Sequence, residues 1–329
     1  MNNSYGAASP LDNATPTLGG LPRFGLLRFA GPDALNFLQG QLSNDTNRLT
    51  AGAPLLAAYS TPQGRVVAVL HLLPHSSGVM AILPHEIALP TVERLRKYVL
   101  RAKVRIEDVS DQFMVFGRSA TDADPSDGLP VPDAGRAYVE RNGIGVARLG
   151  LDRQPPLTNR HWVIGTAQDL TTHGVVSQPK EEPRVEHAWR LADIRAGLPQ
   201  VYAATREMFV AQMLNLDLID GISFTKGCFT GQEIIARTQH LGRIKRRLHR
   251  LRLPAGTWAV GQAVHLTDGR SGRLTELAAT GSEFEALAVL TLDGGSAAGG
   301  AEEMAVGGAP GGTLVDATEL PLPYALGSA

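Results

Sequence analysis

The single cysteine of the chain, Cys228, lies in its densest cluster of residue types that could do chemistry, the run TKGCFTGQE that begins at Thr225. A thiolate is a nucleophile and a metal ligand, and a nearby ammonium favours its formation. Lys226 lies two residues before the cysteine, so both side chains point to one face if this stretch is extended. Gly227 and Gly231 would let the backbone approach a ligand closely. The spacing therefore predicts an ammonium–thiolate pair beside a ligand.

A helix is predicted directly after the cysteine. Thr230 and Glu233 fit a capping box, so the helix should begin at Gly231 and end near Gly242. Cys228 would then lie before the positive end of the helix dipole, which also favours an anion. Two interpretations stay open on spacing alone, because Cys228 could be a reactive thiol or a small buried side chain, as many free cysteines are.

Composition excludes several classes of protein. The 329 residues are 43% hydrophobic and 19% charged, enough for two or three folded units. The net charge of −1 excludes a chain that is basic throughout, so any contact with nucleic acid would be a local patch. One cysteine excludes an intramolecular disulfide, and the histidines lack metal-ligand spacing, so no metal site is expected. No signal peptide or bilayer-spanning stretch is recognised, and we expect a cytoplasmic protein without membrane contact.

Turn residues and hydrophobic spacing predict the elements that must position the cysteine. Strands are expected at 24–29, 55–60, 65–73, 78–83, 104–109 and 112–116, a hairpin around Asn142-Gly143, and helices at 33–41, 91–101 and 184–196. Strands and helices mix without βαβ alternation, which indicates an α+β fold. Short strands at 247–253, 262–267, 273–278 and 286–292 predict a C-terminal β-barrel or sandwich. The predicted units are a disordered leader, 1–20, an α+β region of two interleaved subdomains, 21–243, and the barrel, 244–329.

The stretch from Arg237 to Arg252 is the one concentration of basic residues. It could contact tRNA phosphates or the polyglutamate tail of a folate. A solvated helix end followed by a strand with alternating charges explains it equally well. No aromatic residue interrupts the stretch, so base stacking is not predicted there.

The run GISFTKGCFTGQEIIAR, which begins at Gly221, resembles the signature of the YgfZ family of folate-binding, tRNA-modifying and iron–sulfur-related proteins. That signature is K-G-C-[YF]-x-G-Q-E with a following Arg. The matching residues are Lys226, Gly227, Cys228, Phe229, Gly231, Gln232, Glu233 and Arg237. Upstream, QGQLSND at 39–45 looks like the family's QGQ…D segment, and LPLPY at 320–324 looks like its terminal strand. The resemblance covers roughly residues 21 to 326.

The resemblance implies a fold like the glycine-cleavage T-protein, with two mixed α+β units and a C-terminal β-barrel around a central pocket for tetrahydrofolate or another folate. It implies that Cys228 is the functional thiol and Lys226 its electrostatic partner. The residues assigned to the cofactor are Phe24, Trp189, Gly227, Gly231, Gln232 and Arg237. Phe24 and Trp189 could stack on a pterin ring, although a Trp on an amphipathic helix is also an ordinary core residue.

Three positions depart from the T-protein pattern. T-proteins carry an acidic pair shortly after the glycine of the Gly64 turn, where this chain has Ala68 and Val69. Neither residue can ionise, so aminomethyl transfer by that route is not expected, and whether the protein is an enzyme stays open. Arg195 replaces a pterin-anchoring Glu, and a guanidinium has only donors, so folate should bind more weakly or in another orientation.

The resemblance therefore predicts a folate-binding accessory factor for the synthesis or repair of iron–sulfur enzymes, including those that modify tRNA, which acts through Cys228. Its expected partners are iron–sulfur enzymes as clients, a folate, and tRNA contacted by the stretch from Arg237 to Arg252. The alternative is a tetrahydrofolate-dependent aminomethyltransferase or demethylase.

Overall fold

A computed structural model describes residues 17–120, 129–130, 132, 138–149, 159–175, 183–240, 244–292 and 313–326 of the chain. The helices are α1 Ala34–Gln41, α2 Ala88–Arg96, α3 Ala167–Thr172, α4 Pro183–Ala196 and α5 Gln232–His240. The strands are β1 Thr17–Gly20, β2 Phe24–Ala30, β3 Leu55–Ser60, β4 Val66–His75, β5 Gly78–Pro84, β6 Arg105–Asp108, β7 Met114–Ala120, β8 Tyr138–Arg141, β9 Ile144–Leu149, β10 Asn159–Gly165, β11 Arg246–Leu253, β12 Ala263–Leu266, β13 Ser271–Thr280, β14 Glu283–Thr291, β15 Thr313–Val315 and β16 Thr318–Leu320.

The first sheet has the order β3-β4-β5-β2-β6 and is covered on both faces. One face packs on α1 and α2, where residues such as Leu38 and Leu95 are completely buried. The opposite face packs on α4 and on two further sheets. Residues 66–73 of β4 are all buried, which explains why they are apolar at every position except His71 rather than alternating.

The second sheet has the order β1-β7-β10-β9-β8 and packs against the first sheet together with α4. Its β8–β9 hairpin turns at Asn142 and Gly143, whose φ angles of 55° and 75° are those of a type I′ turn. Helix α4 ends at Ala196, and Gly197 follows with a φ of 64°, as expected for a residue that terminates a helix in the left-handed conformation.

The third sheet has the order β15-β12-β13-β14-β11-β16 and forms a half-barrel over its own apolar core. Neighbouring strands are antiparallel except β12 and β15, which are parallel. The register shifts between Leu274 and Glu276, and such a bulge bends a strand. The third sheet also contacts the first through a core that includes Val69, Phe229 and Leu287.

The predicted α+β class is confirmed, and several details are corrected. Strand β1 lies inside the predicted leader, whose residues 1–16 fall outside the described residues. Helix α2 begins and ends earlier than predicted. Leu320 alone of the LPLPY segment belongs to a strand. Strand β10 and helix α3 were not predicted, although Thr166 caps α3 through its hydroxyl, which accepts a hydrogen bond from the amide of Asp169. The domain boundaries stay predictions.

No helix in the described part of the chain is both long and apolar enough to cross a membrane.

Candidate functional site

The two motif segments lie side by side, although they are far apart in sequence. We call residues 221–231 the cysteine loop and residues 39–45 the anchor segment. The Ser223 amide donates to the Ser43 carbonyl at 2.9 Å, and the Thr230 amide donates to the Gly40 carbonyl at 3.1 Å. The Ser43 hydroxyl donates to the Gly221 carbonyl at 2.6 Å. The anchor segment therefore holds the cysteine loop at both ends.

Lys226 joins the same two segments at the centre. Its Nζ donates to the carbonyl oxygens of Gln39, Leu42 and Asn44 at 2.7, 2.7 and 2.9 Å. Gln39 and Leu42 lie at the C-terminal end of α1, where carbonyls lack helical partners and a cation is favourable. Burial lowers the pKa of Lys226 to about 8, while the Asp45 carboxylate acts in the opposite direction. The Lys226 ammonium thus satisfies carbonyls at the end of α1 and joins the cysteine loop to the anchor segment.

Cys228 is exposed, whereas its neighbours Lys226 and Phe229 are buried. The interpretation of this cysteine as a small buried side chain is therefore wrong. The shared face of Lys226 and Cys228 was expected only for an extended stretch, and that condition is not met, because residues 221–231 form an irregular loop. Three carbonyl oxygens enclose the ammonium, so its role here is to fix the backbone that presents the thiol.

Helix α5 begins at Gln232, and the predicted capping box is not formed. The Thr230 hydroxyl donates to the Gln41 side-chain oxygen at 3.3 Å, which ties the cysteine loop to the anchor segment. Gly231 has a φ of 83°, and a Cβ there would lie 2.6 Å from the Thr61 carbonyl oxygen. Glycine is thus required at position 231 because the backbone there packs closely on the β3–β4 turn, rather than on a ligand. Gly242 lies outside the described residues.

The remaining motif residues, Gly227, Gln232 and Arg237, have three different environments. A Cβ on Gly227 would meet no atom within 4 Å among the described residues, so the backbone beside Cys228 is open. The Gln232 side-chain oxygen accepts a hydrogen bond from the Phe229 amide at 3.3 Å, which ties the loop to α5. Arg237 is exposed further along α5.

Phe24 and Trp189, the predicted pterin-stacking residues, are brought together by Trp162 of β10, which sequence reasoning missed. Ring centroids of Trp162 lie 4.9 Å from Phe24 and 4.6 Å from Trp189. All three are buried between the first and second sheets. The Arg23 guanidinium covers the Phe24 ring at 4.5 Å, and the Arg160 guanidinium covers the Trp189 ring at 4.7 Å. Protein groups therefore already contact the rings that were expected to stack on a pterin.

Three buried polar atoms in this aromatic cluster have no hydrogen-bond partner among the described residues. They are Nε1 of Trp162, Nε1 of Trp189 and Oε1 of Gln200. Gln200 belongs to the cluster because its Nε2 lies 3.2 Å from Nε2 of His71, whose ring centroid is 5.2 Å from that of Trp162. Buried polar groups nearly always have a partner, so two donors and an acceptor of this cluster stay available for hydrogen bonds.

The predicted site residues thus form two groups. Phe24 and Trp189 lie in the cluster between the first and second sheets, whereas Phe229 of the cysteine loop packs in the core between the first and third sheets.

A buried ion network lies beside the aromatic cluster and contacts all three sheets. The Asp193 carboxylate accepts from Arg160 at 2.7 Å and from Arg23 at 3.2 Å. Arg23 also donates to Glu276 of β13 at 3.1 Å, and the Tyr202 hydroxyl donates to the same carboxylate. Arg23 precedes β2, and Arg160 lies on β10, so the network joins strands of the first, second and third sheets.

Arg195 does not lie free for a ligand. Its guanidinium donates to Glu285 of β14 at 2.8 Å, and Arg250 donates to the same carboxylate at 2.6 Å. Burial alone would raise the pKa of Glu285, but the hydrogen bonds from these two arginines outweigh it, so the pKa lies below its ordinary value. Arg195, which stands where T-proteins have a pterin-anchoring Glu, therefore joins α4 to the third sheet.

The stretch from Arg237 to Arg252 is not a continuous basic surface. Arg247 is buried and donates to Asp217 at 2.6 Å, and Arg250 is buried on Glu285. Arg252 lies 3.7 Å from Glu283, and Arg243 is outside the described residues. Residues 247–251 of β11 are all buried, so the cations among them lie inside the protein, where Arg247 and Arg250 form ion pairs.

No group of three or more His, Cys, Asp or Glu side chains that could hold a metal ion occurs within the described ranges.

Comparisons with known proteins agree with the motif. The chain is 32% identical over 232 residues to the tRNA-modifying protein YgfZ of Colwellia psychrerythraea, covering 69% of each chain. It is 27% identical to the protein of the same name from Hamiltonella defensa, over 80% of this chain and 76% of that one. Its fold is similar to that of the glycine cleavage system aminomethyltransferase T from Bartonella henselae, with a TM-score of 0.62 at 14% identity over 85% of this chain and 79% of the other. No family model matches the chain.

Proposed function

Because this chain belongs to the YgfZ family of tRNA-modifying proteins, we propose that it is a folate-binding accessory factor that serves iron–sulfur enzymes, including those that modify tRNA. In this proposal Cys228 handles a one-carbon or sulfur–iron intermediate. The observation that carries it is an exposed thiol on a loop whose neighbouring residues, Lys226 and Phe229, are buried and held.

The cysteine loop, held by the anchor segment, is suited to a reaction between Cys228 and a group on a client enzyme. A thiol on a protein surface can reach a group held by another protein, and a fixed backbone limits the positions that it samples. One cysteine cannot hold an iron–sulfur cluster alone, so the other ligands would come from the client enzyme or from small thiols. Cys228 would therefore act together with a client. The cytoplasm, where tRNA and such enzymes meet, is the proposed location.

The aromatic cluster is where we place the folate. This chain has a fold similar to that of aminomethyltransferase T, which belongs to a folate-dependent class of enzymes. A pterin ring carries both acceptors and donors, so it fits the three unpaired atoms, Nε1 of Trp162, Nε1 of Trp189 and Oε1 of Gln200. In this proposal Phe24 and Trp189 lie beside the ligand. They would contact its edge, because arginine and Trp162 cover their ring faces.

The alternative, an aminomethyltransferase or demethylase, is not favoured. Ala68 and Val69 of β4 are completely buried among apolar side chains, so the position that carries an acidic pair in T-proteins offers neither a charge nor a proton acceptor.

Folate binding is tested by titrating tetrahydrofolate while tryptophan fluorescence is recorded. We expect a saturable change that the Trp258→Phe variant retains, because Trp258 is half-buried in the connection between β11 and β12, against the core of the third sheet, and donates to the Pro254 carbonyl. In Trp162→Phe most of the change should disappear and the affinity should fall by roughly two-fold to ten-fold, the effect of one lost hydrogen bond. A full response in Trp162→Phe would place the folate elsewhere.

The role of the thiol is tested in a strain that lacks the gene. We expect the wild-type protein to restore iron–sulfur enzyme activity and Cys228→Ala to restore none of it, at equal protein level. Because Cys228 is exposed, the substitution should leave stability within about 0.5 kcal/mol. Full restoration by Cys228→Ala would show that the proposed role is wrong.

A further inference from the structure

Phe224 supplies the aromatic ring that the basic stretch from Arg237 to Arg252 lacks in sequence. Its ring lies against the His240 imidazole in an edge-to-face arrangement, with centroids 6.3 Å apart and planes at 72°. The side chain is 39% exposed, which is unusual for a phenylalanine. The fold therefore places an accessible aromatic ring next to the end of α5, which sequence order does not reveal.

Two nitrogen-bearing side chains that can donate hydrogen bonds, Arg237 and His240, accompany this ring. Arg237 and His240 are three residues apart on α5 and so are neighbours on its surface, and both are exposed. Arg237 makes no ion pair or hydrogen bond with any residue that the structure describes. Glu233, one turn before Arg237, is the acidic residue on this side of the helix. We call Phe224, Arg237 and His240 the α5 surface.

We propose that the α5 surface binds single-stranded RNA, with an unpaired base stacked on Phe224 and backbone phosphates on Arg237 and His240. Exposed aromatic rings bind unpaired bases by stacking, and adjacent cations bind the phosphates. A duplex cannot offer a free base face, so single strands and loops are the expected ligands. The inference rests on the proposed function for the source of the RNA, the unpaired loops of tRNA.

The position of the surface relates the RNA to the thiol. Phe224 precedes Cys228 by four residues, a stretch that spans at most about 14 Å when fully extended. A base stacked on Phe224 would thus be held near Cys228. An aromatic residue with an arginine also suits a protein partner, but the guanidinium of Arg237, which has no ion-pair partner among the described residues, favours a polyanion.

The test is fluorescence anisotropy of the full-length protein with a labelled 12-nucleotide single-stranded RNA and with the same sequence as a duplex. We expect binding of the single strand and an affinity about ten-fold lower in Phe224→Leu, the loss of one stacked base. Tyr98→Leu is the matched control, because Tyr98 is also 39% exposed but lies at the end of α2. Its affinity should equal that of the wild type.

Charge variants give a second readout. Arg237→Gln should reduce the slope of log affinity against log salt by about 0.7, the value for one phosphate contact on a single strand. Glu233→Gln should strengthen binding.

Unchanged affinity in Phe224→Leu, or equal binding of the duplex, would overturn the inference. So would a loss of client-enzyme binding in Phe224→Leu while RNA binding is unaffected, since a protein would then occupy the surface. If RNA binding fails these tests while Cys228→Ala still loses function, the proposed function stands without this surface.

Discussion

Replacing Asp193 by Asn is expected to lower the free energy of unfolding by about 3–5 kcal/mol. The carboxylate is completely buried between the guanidinium groups of Arg160 and Arg23. Asn keeps the size of the side chain and removes its charge, so the buried arginines lose a counter-ion that no solvent can replace. The shift of the urea unfolding midpoint, with the m-value, measures the effect.

Asp220→Asn is the matched control for this variant. Asp220 forms an ion pair with Arg48 in which both side chains are more than two-fifths exposed, so the change should be below about 1 kcal/mol. Asp220 has a φ of 59°, a conformation that Asn tolerates well. Equal shifts of the midpoint in the two variants would show that the buried network contributes no more than a surface pair.

Replacing Lys226 by Met is expected to destabilise the protein by about 3 kcal/mol or more, because three carbonyl oxygens lose their donor and each buried unpaired acceptor costs about 1–3 kcal/mol. The carbonyls belong to Gln39, Leu42 and Asn44, so the contact between the anchor segment and the cysteine loop should weaken. The same urea titration measures the change. The variant should also lose the activity that depends on Cys228, although the thiol is retained.

Lys97→Met is the control, since Lys97 follows α2 and is exposed, and a change within about 0.5 kcal/mol is expected. A stable Lys226→Met protein that fails to support iron–sulfur enzymes would mean that the ammonium acts on the thiol chemistry itself, rather than through the backbone that it holds.

Local signals in the sequence predicted much of the fold. Asn142-Gly143 predicts the β8–β9 hairpin, because few other residue pairs adopt two successive positive φ angles. Gly197 predicts the end of α4 for the same reason. Strand β10 was missed because its buried Arg160 interrupts the apolar pattern. That cation is tolerated only because Asp193 lies 2.7 Å away, on a helix that follows later in the chain.

The site could be predicted in its residues but not in their roles. The motif identifies Cys228 and Lys226, yet the partners of the Lys226 ammonium lie in residues 39–44, a contact that no local spacing reveals. The capping-box pattern at Thr230 fails because α5 begins at Gln232, one residue later than the pattern predicts, and Gly231 takes the position before the helix. Phe24 and Trp189 were identified by resemblance, whereas Trp162, which touches both, stands on the strand that sequence reasoning missed.

The central claim, that Cys228 acts in tRNA modification, is tested most directly by mass spectrometry of tRNA nucleosides from a strain whose only copy of the gene carries Cys228→Ser. The account predicts that sulfur-modified nucleosides fall to the level of a strain without the gene, while Thr225→Ser, a change at an exposed residue of the same loop, leaves them at the wild-type level. Wild-type nucleoside levels in Cys228→Ser, at an equal amount of protein, would contradict it.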